Sequence, residues 1–307
     1  MVEVSVRGLR REPGRSPAVA MPRLRVWPTE RLLLHEEADP ARVRRLADAL
    51  RRDGVLRNPP IVAPLLPADP GSAGRDGAGR TAPSGAERAV VLDGANRVTA
   101  LRTLGLAHTV VQPVFYDDPR VGLSVWRHYA AEGTPGTLRA AAADLGAVTP
   151  VEDETEAEAR IAAGEGIAAV IDARGGVLFH QAGGAAAAAD ALCRLAALYR
   201  DGRAVHRIDA GTLDDLRIAY GAGALVLFRR FEKSEILDLA VEGGRLPAGI
   251  TRHVIPGRAL RLNTPLAWLG DGIDTAAKQA ALDAQLEQRW QAHGVRYYAE
   301  PTFLFDE

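Results

Sequence analysis

The chain has a single cysteine, Cys193, among 307 residues. One thiol excludes an intrachain disulfide and any multi-cysteine metal site, and its Ala-rich setting predicts a small, buried helical residue. Excess charge of either sign is also missing, since 38 Lys and Arg stand against 39 Asp and Glu. Such a balance gives no global positive field, so nucleic acid is not an expected partner unless a local patch supplies one. No apolar run approaches the roughly 18 residues needed to span a bilayer, and the opening MVEVSVRGLRREPGRSPAVA has no signal-peptide core. A cytoplasmic protein without membrane contact is the expectation.

At 47% hydrophobic, the chain can bury a sizeable core, and its length suits two modest domains. Residues 1–22, rich in Arg, Pro, Gly and Ser, read as a flexible tail. Asp39 and Pro40 supply an N-cap and a first helical residue; Val43, Leu46, Ala47 and Leu50 follow at helical spacing, and Gly54 stands at the C-terminal cap. Asn58–Ala63 reads as a strand, and the Gly/Pro-rich stretch 66–88 as a mobile insertion. Ala89–Leu92 then predicts a strand, Ala95–Leu104 a helix and His108–Phe115 another strand.

Beyond a linker at Glu132–Gly136, strands at Ile167–Asp172 and Val177–His180 form an expected hairpin. Gly184–Tyr199 predicts a helix, Ala224–Phe228 a strand, and Ser234–Val241 a helix capped by Ser234. Ala276–His293 has helical spacing, and Val295–Phe305 reads as a closing strand. The fold class is therefore α+β (mixed α/β), with domains at 23–130 and 131–307.

Three segments carry candidate chemistry. In VVLDGANRVTALRTLG a strand stops on Asp93-Gly94 and a helix begins at Ala95. Its free N–H groups and positive dipole end lie beside Arg97, which suits a phosphate, and Asp93 offers magnesium a hard oxygen ligand. The same residues also make an ordinary turn, with Asp93 as a cap and Arg97 solvated. In His35-Glu36-Glu37, an acidic pair before a capped helix either complements the dipole or includes a general base, and physics alone does not choose between Glu36 and Glu37. Arg245 to Gly270 holds Arg245, Arg252, His253, Arg258 and Arg261 without one acid. Its Pro/Gly signals place Thr251, Arg252 and His253 in a tight turn whose donors suit a carboxylate or phosphate.

With LLLHEE, NPPIV, LSVWRH, LPAGITRHVIPGRALRLNTPLAWL and VRYYAEPTFLFDE, these segments resemble the free L-serine kinases of the ParB/sulfiredoxin superfamily over roughly residues 24 to 307. The family motif Asp-Gly-x-His-Arg is seen as Asp93-Gly94-Ala95-Asn96-Arg97. The resemblance implies a ParB/sulfiredoxin-like nucleotide domain, a second α/β substrate domain and a site in the cleft between them. It implies phosphoryl transfer from a nucleotide, ATP favoured over ADP, to free L-serine, giving O-phospho-L-serine for L-2,3-diaminopropionate, siderophore or other specialised biosynthesis. By motif position, Glu36 is then the catalytic base, and Asp93, Gly94, Ala95, Asn96 and Arg97 bind phosphate and Mg2+. Thr251, Arg252 and His253 grip the amino acid, with Trp126 walling the pocket; a homodimer is compatible with the resemblance.

Asn96 replaces the family's usual histidine, and an amide donates a hydrogen bond without carrying a proton or charge. Sulfiredoxin chemistry is set aside because Ala95 stands where its reactive cysteine would be. A ParB-like regulator that binds nucleotide or DNA without kinase activity is the alternative.

Overall fold

The computed structural model describes residues 21–65, 88–131, 136–200 and 204–298. All of the expected insertion at 66–88 except Arg88, and most of the expected tail and linker, lie outside these residues.

The first unit comprises β1 (Arg25–Pro28), β2 (Leu32–Leu34), α1 (Pro40–Asp53), β3 (Val55–Leu56), β4 (Ile61–Pro64), β5 (Ala89–Asp93), α2 (Ala95–Thr103) and β6 (His108–Pro113). Its main sheet runs β1-β6-β4-β5-β2, mixing parallel and antiparallel pairs. α1 begins and ends as its sequence dictates: the Asp39 carboxylate accepts from the N–H groups of Ala41 and Arg42, and Gly54 is left-handed at φ 67°.

The next elements are β7 (Gly122–Val125), β8 (Arg127–Ala131), α3 (Thr137–Ala143), β9 (Val148–Val151), α4 (Glu154–Ala162), β10 (Ala168–Asp172) and β11 (Gly175–Phe179). α5 (Ala185–Arg200), β12 (Val205–Ile208), α6 (Leu213–Tyr220), β13 (Gly223–Phe228) and α7 (Lys233–Val241) follow. Six of these strands form an antiparallel sheet in the order β12-β8-β13-β10-β11-β9. The expected hairpin is β10–β11. α7 starts after Glu232, not Ser234: the Glu235 carboxylate returns to the Glu232 N–H, a reciprocal cap that pre-empts the serine.

The chain then crosses back. β14 (Thr251–Val254) pairs with β7, β15 (Thr264–Pro265) pairs with β3, and α8 (Thr275–Gln291) packs on β1. The expected boundary after residue 130 thus cuts β8, which belongs wholly to the six-stranded sheet, while Leu262, Leu269, Leu282 and Leu286 join Val43, Leu50 and Val110 in a core beside the first sheet. Val295–Tyr298 is not a strand, and the rest of that expected element lies outside the described residues.

One apolar core joins the two sheets. Ile61, Val90 and Leu92 from the first unit meet Val170, Leu192, Val226 and Ile236 from the second. α7 lies against β2 and β5. This packing fixes the carboxyl ends of β2 and β5, where the candidate residues sit, against the segment leading into β14.

Candidate functional site

β2 and β5 are adjacent parallel strands with Leu34 opposite Val91. Two residues further along each chain stand Glu36 and Asp93. Ligand sites in parallel sheets gather at the carboxyl ends of strands, about 4.8 Å apart. The sequence brings both acids there because an apolar run ends on a polar residue in each strand.

Glu36 is held from three directions by the segment before and within β14. Its Oε1 accepts from the Thr251 N–H at 2.7 Å and the Thr251 hydroxyl at 2.6 Å, and its Oε2 accepts from the Gly249 N–H at 2.9 Å. A β-bridge between Glu36 and Leu246 sets this alignment. Gly249 is itself anchored, since its carbonyl lies 2.9 Å from His128 Nε2. Glu37 points elsewhere and approaches Arg200 at 4.0 Å. The two glutamates thus differ in their surroundings: one is fixed by donors, the other is a surface acid.

Asp93 lies between two guanidinium groups, Arg97 at 3.2 Å and Arg258 at 2.8 Å. Burial pushes its carboxyl upward in pKa, but the two arginines outweigh burial and hold it below the ordinary aspartate value. Gly94 has φ 102° and a Cβ there would meet the Arg97 guanidinium at 3.0 Å, so the glycine makes room for Arg97 to fold back over the turn. Gly94 is the N-cap of α2 and supplies no side-chain cap, which leaves the helix's positive end available to an anion. Neither bland sequence reading describes this corner: Asp93 does not cap α2, and Arg97 is largely buried in an ion pair.

Ala95 opens α2 and packs beside the Val91–Val98 core. Asn96 has a structural task, because its Oδ1 accepts the Asp39 N–H at 2.8 Å and ties the start of α2 to that of α1. Arg258 was one cation among several in the sequence. Its placement depends on Gln112, which binds Gly257 O at 3.0 Å and the Ala259 N–H at 2.8 Å and so fixes the loop that presents the arginine.

The Thr251–His253 segment departs from expectation. It is a strand, not a tight turn, and strand alternation sends its side chains to opposite faces. Thr251 and His253 point inward. His253 Nε2 lies 2.9 Å from the Tyr116 hydroxyl, and its ring meets His35 edge-on at 5.4 Å. Arg252 points the other way, with its guanidinium 4.5 Å from the Trp126 ring centre and 3.5 Å from Asp209. The three donors therefore do not converge on one point; Trp126 and Arg252 form a pair of their own.

Arg207 escaped sequence reasoning altogether. A Cβ on Gly249, whose φ is 74°, would fall 2.3 Å from its guanidinium. Desolvation, then Arg42, lowers the pKa of Arg207, and Arg200 adds to this. Three arginines from α1, α5 and β12 thus converge near Glu36. Among the described residues no group of three or more His, Cys, Asp or Glu could hold a metal ion by itself. Asp93 can contribute one carboxylate, which suffices for Mg2+ when phosphate oxygens complete the shell.

Burial also sets the histidine charges. Desolvation pushes His128 down to about 4, and desolvation followed by the neighbouring His35 pushes His253 down to about 3. Both rings protonate in the unfolded chain near pH 6.5 but stay neutral in the folded one, so their stabilisation is complete above about pH 6.5 and is lost as pH falls. Each ring contributes a slope of about 1.4 kcal/mol per pH unit over that window. Urea unfolding at about pH 7.5 and about pH 5 should therefore differ by roughly 4 kcal/mol, with the acid sample weaker. Equal stabilities would show that these rings are not neutral and buried.

The architecture is that of solved free serine kinases. A free serine kinase in complex with AMP superposes with a TM-score of 0.62 at 18% identity, covering 82% of this chain and 98% of that one. A conserved hypothetical protein from Pyrococcus furiosus gives a TM-score of 0.61 at 17% identity, covering 82% of this chain and 99% of that one. The particular relative found by sequence is the ATP-dependent L-serine kinase SbnI of Staphylococcus aureus, 26% identical over 291 residues, spanning 92% of this chain and 97% of SbnI. The solved C-terminally truncated SbnI has a TM-score of 0.60 at 21% identity, covering 89% of this chain and 97% of that one. No family model matches the chain. The resemblance to free L-serine kinases is borne out in sequence and in fold.

Proposed function

We propose that this chain transfers the terminal phosphoryl group of ATP to the hydroxyl of free L-serine, giving O-phospho-L-serine and ADP. The observation that carries the reading is Glu36, fixed by three donors at the mouth of β2 beside the Asp93–Arg97–Arg258 cluster. The full-length likeness to an ATP-dependent L-serine kinase supports it.

In this reading Glu36 is the general base. It accepts the serine hydroxyl proton as the oxygen attacks the phosphoryl group. Arg97, Arg258 and the start of α2 neutralise and orient the phosphates, the main demand that phosphoryl transfer places on a protein. Asp93 would hold Mg2+ with the nucleotide's oxygens, and the ion, when bound, would offset phosphate charge. Arg252, held over the Trp126 ring, is suited to the serine carboxylate, which would take the place of Asp209 in a bidentate pair. Thr251 and His253 then act by supporting this site from within. The product's use in L-2,3-diaminopropionate or siderophore synthesis, and a cytoplasmic setting, belong to the same proposal. No described helix is long and apolar enough to cross a membrane.

Purified protein given L-serine, Mg2+ and either ATP or ADP should form O-phosphoserine detectable by mass spectrometry, faster with ATP. Threonine and homoserine should react more slowly. Salt-sensitive DNA binding without product from either nucleotide would replace this reading by the regulator.

A further inference from the structure

The hydrogen bonds behind Glu36 contain a proton-counting problem. His35 Nδ1 lies 2.7 Å from the Val91 carbonyl, so this nitrogen must carry a proton. His35 Nε2 lies 2.8 Å from Thr251 Oγ1, and the same Oγ1 lies 2.6 Å from Glu36 Oε1. The threonine hydroxyl has one proton for two acceptors. With a neutral imidazole and an ionised Glu36, one of the two contacts sets lone pair against lone pair. One additional proton, on either Nε2 or Oε1, satisfies both.

The surroundings decide where it goes. His35 is 2% exposed, and His253 faces it edge-on at 5.4 Å. An imidazolium here would be a buried charge, and desolvation lowers the ring's pKa against the opposing pull of Glu36 and the Val91 carbonyl. On the Glu36 side stands Arg207 from β12, with Arg42 of α1, its N-cap Asp39 and Arg200 of α5 around that arginine. Glu37 lies toward Arg200 and Cys193 on α5, and Asp93 on β5 faces His253. A proton on Glu36 adds no buried charge.

We propose that His35 and Thr251 form a proton-accepting backstop for Glu36, in which His35 is a positioning residue that acts through the threonine hydroxyl. The proposal deepens the kinase reading and rests on it for its catalytic consequence. During transfer the serine O–H bond breaks and its proton goes to the Glu36 carboxyl group. The serine oxygen bonds to the terminal phosphorus while the bond from that phosphorus to the bridging oxygen breaks, and ADP departs with that electron pair. The proton on Oε1 turns to Thr251 Oγ1, and the threonine proton turns from Oε1 to His35 Nε2. Every contact is then donor to acceptor, and His35 remains neutral. The chain is short of one proton before reaction and complete after it, which favours the proton's movement onto Glu36.

Two measurements test this. The first needs no turnover: nitrogen NMR of histidine-labelled protein at neutral pH should show His35 with Nδ1 protonated and Nε2 bare, and the Nε2 signal should move in Thr251→Val but little in Thr251→Ser. A protonated Nε2 would overturn the proposal. The second is the pH dependence of kcat. Thr251→Val and His35→Asn, whose amide can still reach the Val91 carbonyl, should each move the acidic limb down by about one pH unit and slow the plateau about tenfold. Thr251→Ser should restore the profile, and the double variant should resemble either single one, because both break one chain. An unmoved limb, or additive effects, would overturn the proposal. Absence of phosphoserine from the wild type would instead defeat the kinase reading, leaving the NMR result to decide the hydrogen-bond chain.

Discussion

Glu36→Gln should lower turnover of free L-serine by about 10³-fold, within the 10²–10⁴ range of general-base catalysis, while ATP affinity changes by less than about threefold. The amide cannot take the serine proton. It also misfits its cradle: the two carboxylate oxygens accept from the Gly249 and Thr251 N–H groups, so either orientation of Gln sets its NH2 against an N–H. That mismatch should cost about 1–3 kcal/mol of stability, visible as a lower urea midpoint. Glu37→Gln should be mild, because Glu37 is an exposed side chain whose neighbours, Arg200 at 4.0 Å and Cys193, lie outside the Glu36 cradle. Steady-state kinetics with both variants check the assignment; a severe Glu37 effect beside a mild Glu36 effect would reverse it.

The second large effect is expected at Asp93. In Asp93→Ala, Arg97 and Arg258 lose the carboxylate oxygen they share, at 3.2 Å and 2.8 Å, and are left as neighbouring like charges. The proposed Mg2+ ligand is lost with it. Several kcal/mol of transition-state charge stabilisation correspond to about 10²–10³-fold in kcat. Calorimetry separates the two causes: wild-type protein should bind ATP more tightly with Mg2+ than with chelator, and Asp93→Ala should show no such difference. If the variant retains the magnesium dependence, Asp93 is an arginine clamp alone.

Local signals made much of this legible. Asp39, Pro40 and Gly54 marked α1 because caps act within a few residues, and β5, α2 and β6 followed from apolar runs punctuated by Gly94 and Gly105. Long-range pairing was not legible. Pro247, Gly249, Pro256 and Gly257 suggested a turn around Thr251, but β7 recruits that segment as a strand, and a partner so distant in sequence leaves no local trace. For the same reason the sequence pointed to Asp93 and Arg97 but not to the Arg258 that completes their cluster. In the sequence His35 is only the neighbour of Glu36, since the hydroxyl linking them comes from β14. Ser234 was the expected cap, and Glu235 displaced it by bonding back to Glu232.

The most direct measurement is transfer of a labelled terminal phosphoryl group from ATP to free L-serine in the presence of Mg2+, followed in wild type and Glu36→Gln side by side. The account predicts label in O-phospho-L-serine with the wild type, dependent on both serine and Mg2+, and a loss of about 10³-fold with the variant. Label that stays in ATP or appears only as inorganic phosphate, with serine unmodified, would contradict it.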